Sequence, residues 1–311
     1  MEIVKEINNF KPSNRPLYLA LGNFDGVHKG HKKIITELVE KAKKNGAIAA
    51  ALIFDPHPAK VLNPDKAPKL LVNSERKAEL LKELGLDILI YHTFNKDISK
   101  CSPEDFVKKI LLDNLKVKEV FVGFNYSFGY KGAGNPALLE ELGDKFNYKV
   151  NIIPPVKVNG EIASSSLVRQ ALDAGEVEKA FSMLGYYPML EGIVIEGEHR
   201  GATIGFPTAN LGVNPDFNIP AKGVYAAKAQ LEDEFFNCVV NIGTKPTFHK
   251  DYPISIESHF LNFNRDIYSK SVKLYFIQKL RNQKRFESIE ELTDQIKLDC
   301  VMAEKIISTM V

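Results

Sequence analysis

LALGNFDGVHKGHKKII, residues 19–35, sets the frame for the first half of this chain. An apolar run, LALG, stops at the turn-prone NFDG, and an amphipathic run begins at HKGHKK. A strand giving way to a helix in this manner places Gly22, Asp25, Gly26, Gly30 and two histidines, His28 and His31, at the carboxyl edge of a sheet, where open α/β folds bind ligands. A helix start offers unpaired N–H groups and partial positive charge to an anion, and glycine lets a phosphate approach the backbone. An imidazole on the first turn can donate to a phosphate oxygen. Alone, either histidine reads as a cap or a core residue. Paired around Gly30, they read as an anion site without a Walker P-loop.

Working outward, YLALG, IAAALIF, ILIYHTF, EVFVGF and VNIIPPV are continuous apolar runs, the pattern of parallel strands covered on both faces. Between them HKKIITELVEKAKKNG, SERKAELLKELG, SPEDFVKKILLDNL and NPALLEELGDKF carry apolar residues at helical spacing. Serines open SPED and SERK as caps, and KKNG and KELG end on glycine. The alternation predicts a Rossmann-like α/β domain. After SSSLVRQALDAGEVEKAFSMLG the pattern changes to EGIVIEGE, GVYAAKAQLE, EFFNCVVNIG, ISIESHFLNF and SVKLYFIQKL with turn residues between. That predicts a small antiparallel β-barrel or sandwich, closed by a terminal helix from SIEEL with apolar Ile289, Leu292, Ile296 and Val301. The boundary falls near LGYYP, giving domains 1–185 and 186–311.

The bulk numbers suit two soluble domains: 311 residues, 44% hydrophobic, 26% charged, and a net charge of +2 that gives no electrostatic reason to expect a nucleic-acid partner. No basic stripe or helix-turn-helix pattern occurs either. Cys101, Cys238 and Cys300 are dispersed, which fits a reducing cytoplasm, and no apolar run approaches the roughly 20 residues of a membrane span. Oligomeric state is left open.

Two further stretches complete the N-terminal reading. ASSSLVRQAL, residues 163–172, has Ser164, Ser165 and Ser166 to cap a helix and donate to phosphate, with Arg169 as a forked cation one turn in. VGFNYSFGYKGAGN, residues 122–135, sets Asn125 after a strand, with aromatics that can pack a flat ring or simply form a tight turn. IFDPHP adds His57 in a polar turn. GNFDGVHKGH resembles the HxGH signature of the nucleotidyltransferase superfamily, ASSSLVR its serine-rich element, and GFNYSFG a segment of bacterial flavin-adenylating enzymes, with Tyr126 in place of phenylalanine. The resemblance implies adenylyl transfer without a covalent enzyme intermediate. His28, His31 and Arg169 would be catalytic, and Gly22, Phe24, Asp25, Gly26, Asn125 and Ser164 to Ser166 would bind nucleotide or substrate.

In the second half, GIVIEGEHRGATIGFPTANLGV, residues 192–213, puts the Thr208 hydroxyl and the Asn210 amide oxygen on one face of a β-like segment, hard donors suited to Mg²⁺ arriving with a nucleotide. By chemistry alone it is equally a turn-rich hairpin. The string closely resembles the riboflavin kinase signature, and the likeness continues through GVYAA, NIGTKPTF, SIESHFLNFNRDIY and LRNQKRFESIEELTDQIKLD. It implies Glu257 as the base for the ribityl hydroxyl, Gly201, Gly205, Pro207, Thr208 and Asn210 at nucleotide and Mg²⁺, and Arg281 and Phe286 beside the flavin. Asn262 and Ser269 depart from the usual pattern. Over nearly the whole chain the sequence resembles the prokaryotic bifunctional riboflavin kinase/FAD synthetase family, with ATP, riboflavin and FMN as implied substrates and FAD as product. Retention of only one activity, or a flavin sensor without turnover, are the alternatives.

Overall fold

The structure, a computed structural model, describes residues 1–197, 200–244 and 254–309. Contacts divide the chain into two units: Met1–Pro68 with Val72–Ser164, and Lys69–Leu71 with the chain from Ser165 onward.

The first unit alternates strand and helix: β1 (Glu2–Lys5), β2 (Leu17–Leu21), α1 (Lys29–Lys44), β3 (Ile48–Asp55), α2 (Pro58–Leu62), α3 (Ser74–Glu83), β4 (Ile88–Thr93), α4 (Lys96–Ser99), α5 (Pro103–Asp105), β5 (Val117–Gly123), α6 (Pro136–Phe146) and β6 (Lys149–Ile153). A short hairpin, β7 (Lys157–Val158) and β8 (Glu161–Ile162), follows. The six-stranded sheet has the order β1-β4-β3-β2-β5-β6, and every pair in it is parallel. Strand order reverses at β2, so the crevice beyond the ends of β2 and β5 is the topological switch point of the sheet. Leu19, Ala20, Ala50, Val120 and Val122 are fully buried on these central strands, which explains their unbroken apolar runs. Each large aliphatic side chain so buried contributes about 1.5–3 kcal/mol.

Some local expectations change. Asn73, not Ser74, caps α3, its Oδ1 accepting from Arg76 N at 2.7 Å. Ser102 does cap α5, which widens into π-helical turns over Phe106–Asn114. β1 escaped the sequence reading because it is four residues long and only Val4 is buried. Tyr126 and Phe128 stack at 5.7 Å and pack into the core.

The second unit contains α7 (Ser165–Ala174), α8 (Val177–Leu184), β9 (Met189–Ile195), α9 (Arg200–Thr203), β10 (Ala209–Val213), β11 (Gly223–Leu231), β12 (Glu234–Thr244), β13 (Ile254–Phe260), β14 (Ser271–Arg281) and α10 (Ile289–Ser308). Six antiparallel strands close into a barrel of order β10-β13-β12-β11-β14-β9. Tyr225 and Phe276 meet edge to face at 5.5 Å and are fully buried. On the opposite face, Val224, Ala226, Val239 and Leu261 pack with Ala303 of α10. Ser288 caps α10, accepting from Glu291 N at 3.1 Å.

The contact division at Ser164/Ser165 lies about twenty residues before the boundary read from sequence. α7 and α8 pack on each other, α8 packs on β14, and Asn218 Nδ2 donates to Asp173 at 2.7 Å. Their amphipathic pattern matches that of the α/β helices, so sequence alone could not show which core they cover. No helix among the described residues is long and apolar enough to cross a membrane.

Candidate active sites

At the switch point, His28 is the N-cap of α1. Its Nδ1 accepts from Gly30 N at 3.1 Å and His31 N at 3.4 Å. With Nδ1 used as acceptor, the neutral ring carries its proton on Nε2, ready to donate. Burial holds the His28 pKa down at about 4 from the usual 6.5, so the ring is neutral at pH 7. His31 stacks on it at 3.7 Å and is lowered well below the usual value, by burial and then by His28 and Lys77. His31 Nδ1 is buried without a partner. The site therefore presents neutral N–H dipoles rather than imidazolium charge.

The turn Asp25–Val27 supports the pair. Phe24, expected at the substrate, is wholly buried, with its ring edge-on to His31 at 5.1 Å. Gly22 lies against the Phe24 ring, and Asp25 and Gly26 are buried in the turn, with Gly26 at φ 74°. A Cβ on Gly30 would stand 3.4 Å from the Ala163 carbonyl, so the chain leading to Ser164 reaches the histidine turn. Asn125 is exposed just beyond β5, next to the exposed Phe124. Asn23 and His57, from adjacent strand ends, meet at 3.2 Å. Ser165, Ser166 and Arg169 lie on α7 in the second unit, and Arg169 Nε donates to the Lys69 carbonyl at 2.6 Å. Sequence reasoning passed over Asn23, Phe124 and Lys77, which no motif spacing marks.

On the barrel, Asn210 of β10 stands directly opposite Glu257 of β13, which stands opposite Asn241 of β12. Directly paired residues share a face, so these three side chains form a row across three strands. All are half-buried, on the face opposite the buried Ile256, Ser258 and Phe260. Gln283 donates to Asn241 at 3.0 Å. His259, two residues beyond Glu257, donates from Nδ1 to the Pro207 carbonyl at 2.8 Å and thereby ties the GFPTAN turn to the glutamate strand. In that turn Phe206 N donates to Gly201 O, and a Cβ on Gly201 would lie 2.3 Å from the Phe206 carbonyl, so only glycine fits. Gly205 has φ 84°, Pro207 is exposed, and Thr208 is half-buried, its hydroxyl oriented toward Gly201. Asn241, His259 and Gln283 were missed because their contacts join segments distant in sequence.

Arg281, expected beside the flavin, is committed elsewhere. It grips the buried Asp299 of α10 through Nε at 3.0 Å and Nη2 at 2.8 Å, with its guanidinium 5.7 Å from the Phe286 ring. Asn262 and Ser269 occupy left-handed turn positions at φ 55° and 61°, and Asn262 donates to Glu304 at 3.4 Å. Residues 198–199 and 245–248, within the GEHRG and NIGTKPTF matches, lie outside the described residues. Among the described residues no group of three or more His, Cys, Asp or Glu could hold a metal ion. The donors that fit Mg²⁺ are the neutral oxygens of Thr208 and Asn210, suited to a cation that keeps most of its waters.

A parallel α/β unit with a stacked histidine pair at a helix start, followed by a closed barrel carrying a carboxylate in register with amide side chains, suits a two-part nucleotide-dependent transferase. Family comparison divides it the same way: the FAD synthetase model matches residues 10–167 and the riboflavin kinase model residues 184–307. The chain belongs to the bifunctional riboflavin kinase/FMN adenylyltransferase family. The protein of that name from Bacillus subtilis (strain 168) is 38% identical over 286 residues, covering 90% of this chain and 89% of the relative. The Listeria monocytogenes relative is 40% identical over 282 residues, covering 90% of this chain and 89% of its own. The Escherichia coli (strain K12) relative is 32% identical, covering 98% and 97%. A solved structure titled as a macrolide-efflux protein from Streptococcus pneumoniae superposes with TM-score 0.88 at 28% identity, covering 98% of this chain and 99% of that one.

Proposed function

We propose a division of labour between the two halves of the chain, within an enzyme that converts riboflavin to FMN and FMN to FAD. Residues 186–311 phosphorylate riboflavin, and residues 1–185 adenylylate FMN and release pyrophosphate. The observation that supports this is that one chain carries two chemically different arrangements: a histidine cap at a helix start, and a carboxylate in register with an amide side chain on a barrel.

In the barrel, Glu257 accepts the proton of the ribityl hydroxyl as that oxygen attacks the γ-phosphate of ATP. Gly201, Gly205 and Pro207 shape the nucleotide turn, and Phe286 borders the flavin. Thr208 and Asn210 would hold Mg²⁺, which would neutralise phosphate charge. Arg281 serves the flavin side indirectly, anchoring the segment that bears Phe286 to Asp299. In the α/β unit the FMN phosphate attacks the α-phosphorus of ATP. His28 and His31 donate to the triphosphate as charge moves onto the leaving pyrophosphate, while Ser164 of the same unit helps hold the triphosphate. Gly22, Asp25, Gly26 and Asn125 shape the substrate crevice. Three free cysteines fit a cytoplasmic setting.

Supplying riboflavin with ATP, and separately FMN with ATP, and resolving the flavins by chromatography tests this reading. FMN and FAD from the first mixture and FAD from the second are expected. FMN formation without any FAD would sink the bifunctional reading.

A further inference from the structure

Lys77 lies near the start of α3, which packs on the Asp25–Val27 turn. It is half-buried, and no hydrogen-bond or ion-pair partner for its ammonium exists among the described residues. Its ammonium faces Asp25 from the turn and Asp55 from the end of β3, and on α1 it is close enough to His31 to bias that ring toward neutrality. Desolvation outweighs the two carboxylates and draws the Lys77 pKa below that of an ordinary lysine. Its neighbour Arg76 is different: it pairs with Glu79 at 2.9 Å and Glu83 at 3.7 Å. From β4 the Tyr91 hydroxyl donates to the Ser74 carbonyl at 2.9 Å.

We infer that Lys77 is a further catalytic residue of adenylyl transfer, its ammonium taking oxygens of the ATP triphosphate beside the two imidazoles. This rests on the assignment of the ATP site to His28 and His31. The FMN phosphate oxygen forms its bond to the α-phosphorus, and the bond from that phosphorus to the bridging oxygen of the β-phosphate breaks. The electron pair leaves on pyrophosphate, and Lys77 stays protonated throughout. Neutral imidazoles offer only dipoles to the charge that develops, whereas a full charge in a partly desolvated site stabilises it more.

The test compares Lys77→Met, Lys77→Arg and His31→Ala in the full chain, assaying FAD formation from FMN and FMN formation from riboflavin. Lys77→Met is expected to lower FAD formation about 100-fold, the loss typical of removing one charge-stabilising donor, with FMN formation within about twofold of wild type. Lys77→Arg restores part of the rate and moves the alkaline fall in FAD formation to higher pH, because the guanidinium keeps its proton. A Lys77→Met rate within about threefold of wild type overturns the inference. So does a Lys77→Arg profile whose alkaline limb coincides with wild type, the mark of a structural lysine. If Lys77→Met does not fold, the Lys77→Arg limb decides. Full FAD formation by His31→Ala overturns the site assignment itself, and the Lys77 inference with it.

Discussion

The rings of His28 and His31 stack 3.7 Å apart with 24° between their planes, and His28 Nδ1 is occupied by the N–H groups of Gly30 and His31. One residue thus caps the helix with one nitrogen and keeps the ring proton on the other. The two duties can be separated by mutation.

His28→Ala removes both, and is expected to cost roughly 1 kcal/mol of stability from the lost cap and to cut FAD formation by about 10²–10³. His28→Asn keeps a cap acceptor but lacks the Nε2–H donor. It should recover the melting temperature and not the rate, with FMN formation intact in both variants. Paired thermal denaturation and flavin-product assays check this; recovery of the rate by Asn would remove the donor role.

The depressed His28 pKa predicts acid lability of the α/β unit. Because the folded pKa of about 4 lies below the ordinary 6.5, the unfolded chain takes up the proton first as pH falls. Stability is full above pH 6.5 and is lost on the way down to about 4, by on the order of 3 kcal/mol from this ring, with His31 acting in the same direction. Denaturant titrations of wild type and His28→Asn at neutral and mildly acid pH should converge, since asparagine does not titrate. As both rings act neutral, the rate of FAD formation should show no inflection near pH 6.5.

Glu257→Gln keeps the size and half-burial of the side chain while removing the base. FMN formation should fall about 10²–10⁴-fold with FAD formation from supplied FMN unchanged. His259→Ala, which frees the Pro207 carbonyl from its 2.8 Å bond, should instead raise the KM for ATP more than it lowers kcat. Steady-state kinetics of the kinase reaction alone separates these outcomes.

The Arg281–Asp299 pair is buried on the Asp299 side, whose side chain is 3% exposed. Asp299→Ala leaves a partly buried guanidinium uncompensated and should destabilise the barrel unit by about 3–5 kcal/mol. Heat inactivation of FMN formation should then precede that of FAD formation, an order read by assaying both reactions after graded incubation.

Legibility in the sequence followed the range of the interactions concerned. The five apolar strand runs and the HxGH turn could be read because each depends on neighbours within a few residues: a strand's burial shows in its composition, and a helix start in its cap. Asn73 displaced Ser74 as a cap because two competent residues stood side by side and only backbone geometry chose between them. Phe24 and Arg281 were assigned to substrate by motif position. Packing gave the first to His31 and the second to Asp299, contacts that no local pattern encodes.

By itself the sequence determined the two architectures in order, the family, and the residues of both phosphate motifs, since periodicity and motif chemistry are properties of short stretches. Only tertiary structure decided which nitrogen of His28 is free, that Asn210, Glu257 and Asn241 align across three strands, and that α3, which carries Lys77, packs on the Asp25–Val27 turn. It also decided that α7 and α8 pack within the barrel unit. Those outcomes come from register and burial between segments distant in sequence, where a one-residue slip would turn every strand side chain to the other face.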